Sequence, residues 1–94
     1  MATVEELRET LEVLSKKIAS AGEGAVTELD NVSKAAAEAG SLGMKAGKQL
    51  LDNLAASLHS VKDGKSHADS IQVRITALDF YLNKIKGGSG EEEL

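Results

Sequence analysis

The sequence predicts an all-α protein, a small antiparallel bundle with four helices. Three observations predict it. Apolar residues recur at steps of three and four along most of the chain, the period of an amphipathic helix. There is no Pro, so long helices are permitted and a turn-rich β domain is disfavoured. Helix-start signals and Gly-containing stops bracket both ends of residues 4–86. No segment reads as a strand, and no internal repeat is evident.

Thr3 to Glu6 reads T-x-x-E, a capping box. After it Val4, Leu7, Leu11, Leu14, Ile18 and Ala21 form an a/d stripe of the kind used in coiled coils. Glu5, Glu6 and Glu9 stand near its start and Lys16 and Lys17 near its end, the order that suits the helix dipole. "GEG" at 22–24 closes this helix, placed at about 4–21. The last helix is placed at about 67–86. Ser66 to Asp69 resembles a second capping box, and Ala68, Ile71, Ile75, Leu78, Leu82 and Ile85 keep the three-four rhythm. Lys84 and Lys86 occupy its last turn. The single domain then ends at 86, and "GGSGEEEL" (87–94) reads as a flexible acidic tail.

The middle offers two stripes: Val26, Leu29, Val32 and Ala36, then Leu50, Leu54, Leu58 and Val61. Between them Gly40, Gly43 and Gly47 would cost a continuous helix ~3 kcal/mol relative to Ala. This favours two helices, about 25–39 and 44–62. The alternative is one long bent central helix, since the stripes and these glycines share a phase at ~100° per residue. The same small residues, with Ala36, would let helices approach closely. Their plainer use is a loop plus a small-residue core layer.

With 94 residues, the chain buries only ~60–65% of its unfolded surface, so its core is thin. One Phe and one Tyr are its only aromatics, so Leu, Ile, Val and Ala must build that core. The absence of Cys excludes disulfides and thiolate metal sites. No run approaches a membrane span, and the acidic, amphipathic start is not a cleaved signal peptide. The default location is cytoplasmic, with export without a cleaved signal as the alternative. Residues 1–40 carry eight acidic and four basic groups, and residues 41–86 carry four acidic and seven basic. Antiparallel halves of this kind attract. They hold no concentrated basic stripe, so nucleic acid is not an expected partner.

Both histidines fall in "SLHSVKDGKSH", 57–67. His59-Ser60-Val61-Lys62-Asp63-Gly64 resembles the H-x-x-K-G pattern of histidine phosphotransfer domains, which are four-helix bundles. The resemblance implies His59 as an exposed phosphoacceptor and Lys62 as the group steadying the phosphoryl. His59 lies ~130° from the centre of its helix's apolar stripe, so it should face water. The pattern departs from the family in an Asp63 inserted before the Gly and in Lys65 where a small residue belongs. The plainer account is an inter-helix turn, with Gly64 ending one helix and Ser66 capping the next. His59 and His67, eight apart, match no standard metal-ligand spacing, and no metal or cofactor is expected.

The most informative surface is on the last helix. Val73, Ala77 and Phe80 follow i, i+4, i+7 on the side away from the Ile71/Ile75/Leu78/Leu82 stripe. Tyr81 and Ile85 lie between the two faces. A helix apolar nearly all round is either enclosed or touches a partner. Val73, Ala77, Phe80 and Tyr81 are therefore the expected binding residues of a non-catalytic interaction or assembly module, for a protein partner or for self-association. Carboxylates pair with Lys and Arg at ordinary surface spacings, and no nucleophile or glycine-loop motif marks an enzyme. A third reading is a small exported or chaperone-type helical protein. Secreted helical-hairpin proteins share the acidic, Cys-free character, but their Trp-x-Gly turn is missing, since "SLG" (41–43) keeps only the Gly.

Overall fold

The structure, a computed structural model, describes residues 3–86. The tail expected at 87–94 lies outside the described residues. Four α-helices form: α1 Val4–Ala21, α2 Leu29–Ser41, α3 Lys45–Lys62 and α4 Asp69–Ile85.

α1 begins as its cap predicts. Thr3 Oγ accepts from the Glu6 amide at 3.1 Å, and Glu6 Oε1 accepts from the Thr3 amide at 2.9 Å. Two otherwise unpaired donors are thereby satisfied. Leu7, Leu11, Leu14 and Ile18 are buried, with Val4 packed at the edge of the core, while Ala21 is exposed.

The second helix starts later than its expected residue 25. Gly22–Glu28 winds instead as a 3-10 helix. Two glycines weaken an α-helix here, and the Thr27 hydroxyl donates to the Gly24 carbonyl at 2.9 Å. Both favour a tight turn over a regular helix.

The break expected between the middle stripes is present, so they belong to separate helices. α2 ends at Ser41 with Gly43 at φ 77°. The Met44 amide donates to the Ala39 carbonyl at 2.9 Å and the Gly43 amide to Gly40 at 3.2 Å, the paired bonds of a Schellman cap. Met44 and Ala39 are both fully buried, supplying the apolar contact that accompanies this motif. α3 ends in the same way. Gly64 has φ 74°, the Lys65 amide donates to Ser60 at 2.9 Å and the Gly64 amide to Val61 at 3.0 Å.

The Ser66–Asp69 capping box does not form. The N-cap of α4 is Ala68, without a side-chain bond. The turn after Gly64 brings the Ser66 hydroxyl to 3.0 Å from Ser60 Oγ. Short bonds instead close the first turn, from the Ser70 amide to His67 at 3.1 Å and from Ile71 to Ala68 at 3.0 Å. The stripe of α3 is also rotated from the expected one. Leu51, Leu54 and Leu58 are fully buried and Leu50 is half-buried, because α3 faces two neighbours, α2 and α4.

The order is up-down-up-down. Ser15 of α1 meets Asp79 late in α4, while the Ala19 carbonyl meets Gln72 near its start. Gly47 meets Tyr81, and Ser57 meets Arg74. Gly40 of α2 meets Lys48 early in α3. α1 therefore neighbours α4 and α2, α3 neighbours α2 and α4, and the diagonal pairs hardly touch. One core of Leu, Ile, Val and Ala, with Met44 and Tyr81, runs through all four. Among the described residues, no helix is long and apolar enough to cross a membrane.

Candidate functional site

α4 is held in rotation from both flanks. Toward α1, buried Ser15 donates its hydroxyl to Asp79 Oδ1, and Gln72 Nε2 donates to the Ala19 carbonyl at 3.1 Å. Toward α3, Arg74 Nε donates to Ser57 Oγ at 3.3 Å. Ile71, Ile75, Leu78, Leu82 and Ile85 then point into the core. At 100° per residue the remaining arc is the one carrying Val73, Thr76, Ala77 and Phe80.

That arc lies open. Val73 is 66% exposed and Phe80 71%, and Ala77 is half-buried. With Ala46 and Leu50 of α3 they border a shallow groove of about 600 Å³. Its one charged lining residue is Lys84. Exposing a Phe and a Val this fully forgoes about 1.5–3 kcal/mol of burial for each.

Tyr81 belongs to the core side rather than to the open face. It is 5% exposed and forms the floor of the groove. The cause lies on the other helix: Gly47 has no side chain, and the Tyr81 ring fills the space. A Cβ built on Gly47 would stand 2.8 Å from Tyr81 Oη and 3.0 Å from Cε2. This pairing crosses between helices, so α4's own periodicity does not reveal it.

A second apolar opening lies between α1 and α2, which the sequence reading missed. Val13 is 65% exposed. With Leu7, Leu14 and Ala35 it forms the floor of a groove of about 310 Å³. Lys17 and Lys34 rim it, as do Glu28 and Glu38. The available signal was Val13 itself, the one large apolar residue of α1 off the a/d stripe. Val13, Val73 and Phe80 are the large apolar residues left exposed among the described residues.

His59 is exposed, as expected of its position, and so is Lys62. The Asp63 carboxylate stands 3.9 Å from His59 Nδ1, where its negative charge would oppose a phosphoryl group on that ring. Gly64 ends the helix, whereas the phosphotransfer motif continues within one. Among the described residues, no cluster of three or more His, Asp or Glu side chains is placed to hold a metal ion.

One charged group is unusual. Arg8 is 7% exposed and donates to Glu5 and Glu12 on its own helix. The hydrogen bond from Arg8, and then its charge, hold the Glu5 carboxyl below the usual carboxylate range. The guanidinium is correspondingly locked in its charged form. This clamp braces α1 and lines neither groove.

Compared with known proteins, the chain matches no family model, no curated protein and no solved structure.

Proposed function

We propose that the chain is a non-catalytic protein–protein interaction module that works through the open face of α3 and α4. The observation that supports this is the pair Val73 and Phe80, both mostly solvent-exposed and on one side of a helix whose opposite side is fully buried. A bundle of this size needs one inward stripe per helix. Val73 and Phe80 on the outward stripe of α4 are left largely outside the core of this fold, and such a surface is suited to a partner. Aromatic anchors over a shallow apolar groove are the usual centre of such contacts. The polar faces are not enriched in Lys and Arg, so a protein surface suits the face better than a lipid one.

The test places a photo-crosslinking aromatic at position 80 in cells that naturally make the protein. A discrete adduct is expected, lost on Val73→Glu and absent when the probe sits at exposed Glu23. Circular dichroism of a Val73→Glu/Phe80→Glu variant should keep its helicity. No adduct at position 80, or collapse of the helical signal, sinks the reading.

A further inference from the structure

The reading above leaves open what covers the α3/α4 face. Resting on that reading, we propose that the same face of a second copy covers it, with α4 lying antiparallel to α4 about a twofold axis near Thr76 and Ala77. The order of residues along the outer stripe of α4 selects this occupant. At 100° per residue, Asp69, Val73, Phe80 and Lys84 fall within an arc of about 60°, away from the buried Ile71, Ile75, Leu78 and Leu82. All four are exposed. The stripe thus carries an acid on the first residue of α4, a base one residue before its last, and two exposed apolar side chains between them.

That order is self-complementary in one direction only. In the antiparallel pairing Lys84 meets Asp69 of the other copy, Phe80 meets its Val73, and Ala77 meets its Thr76. A single register produces all of these pairs, and the twofold axis repeats each of them, so opposite charges flank an apolar centre at both ends. Parallel pairing would set Asp69 on Asp69 and Lys84 on Lys84, and like charges face to face oppose a contact. The flank from α3 does not disturb this match. It lines the groove with Ala46 and Leu50 and with no charged group, and Arg74 at the groove's edge is turned to Ser57. Each α4 then lies along the groove between α3 and α4 of the other copy, its Val73 and Phe80 set over Leu50, Ala77 and the Tyr81 floor. Each copy uses this face once, so the assembly stops at two.

Sedimentation equilibrium of the full chain should show monomer and dimer and nothing larger. Asp69→Lys and Lys84→Asp should each weaken dimerisation about tenfold, because each sets like charges at both ends of the contact. Phe80→Glu should weaken it about thirtyfold, the effect of losing one hot-spot residue. The decisive sample is Asp69→Lys mixed with Lys84→Asp. One chain then carries bases at both positions and the other acids, so the two should pair with each other at close to wild-type strength. Each charge also suits the dipole of its own helix end, but mixing cannot restore a dipole, so rescue reports the contact alone. The double variant Asp69→Lys/Lys84→Asp should dimerise as the wild type does. Single variants that dimerise normally, or a mixture without rescue, overturn the proposal, as do species larger than a dimer. Association that begins only when residues 87–94 are deleted would assign the face to that acidic segment and also overturn it. A wild-type chain that stays monomeric at every concentration overturns it too. In that case a position-80 adduct to a different protein leaves the interaction module standing, and the absence of any adduct sinks both.

Discussion

Tyr81 packs directly over the α-carbon of Gly47, and a methyl group there would lie 2.8 Å from its hydroxyl oxygen. Two effects compete when Gly47 becomes Ala. Helix propensity gains up to ~1 kcal/mol, whereas overpacking against a rigid buried ring costs about 1–3 kcal/mol. The clash is with three atoms of a buried aromatic ring rather than with the mobile end of a flexible chain, so Gly47→Ala should destabilise the protein. In a Tyr81→Leu background the same substitution should become neutral or stabilising. Urea denaturation of the four proteins measures the change of sign, and an equal penalty in both backgrounds would refute the contact.

Gly40 makes a useful contrast. Its hypothetical Cβ meets only Lys48 Cδ at 3.1 Å and Cε at 3.3 Å, the mobile end of an exposed side chain. Gly40→Ala should therefore raise stability by up to ~1 kcal/mol, read as a higher urea midpoint.

The Schellman turn at Gly43 depends on a backbone angle of φ 77°. A side chain there costs about 1–2 kcal/mol. Gly43→Ala should lower stability by that amount without changing helix content at low denaturant. A loss below ~0.5 kcal/mol would show that the turn relaxes to another geometry.

Ser15 and Asp79 join α1 to α4. Ser15→Ala should cost about 1 kcal/mol, with Asp79 free to rehydrate because it is exposed. Asp79→Ala should cost as much or more, since it leaves the buried Ser15 hydroxyl without this partner. The two losses should not add in the double variant.

The Arg8–Glu5 pair predicts a pH dependence. Glu5 titrates lower in the folded protein than in an open chain, through the hydrogen bond and then the charge of Arg8. Its contribution is therefore present above the usual carboxylate range and is lost as acidification protonates Glu5. Stability should fall on going from neutral to acid pH. In Arg8→Gln that fall should be smaller, as measured by urea midpoints at the two extremes. An undiminished fall would place the acid sensitivity elsewhere.

What the sequence disclosed was mostly local. The Thr3–Glu6 cap and the Leu7/Leu11/Leu14/Ile18 stripe span one to four turns of a single helix, and both form as read. The exposure of Val73 and Phe80 also follows from one helix wheel once the core stripe is known. The features that escaped depend on a second element. The choice of 3-10 winding at 22–28 and the engagement of Ser66 by Ser60 arise from how neighbouring turns fold together. Tyr81 turns inward because of a missing side chain thirty-four positions earlier. Val13 is marked within α1 by lying off the a/d stripe, but the groove it borders is completed by Ala35 of α2, which the pattern of α1 does not convey.

The position of Tyr81 also furnishes an optical handle. The chain has no Trp and a single Tyr, so its intrinsic emission comes from one ring sealed at the α3–α4 seam. Any event that pries those helices apart, or covers the groove that Tyr81 floors, will register in that signal without a label being attached.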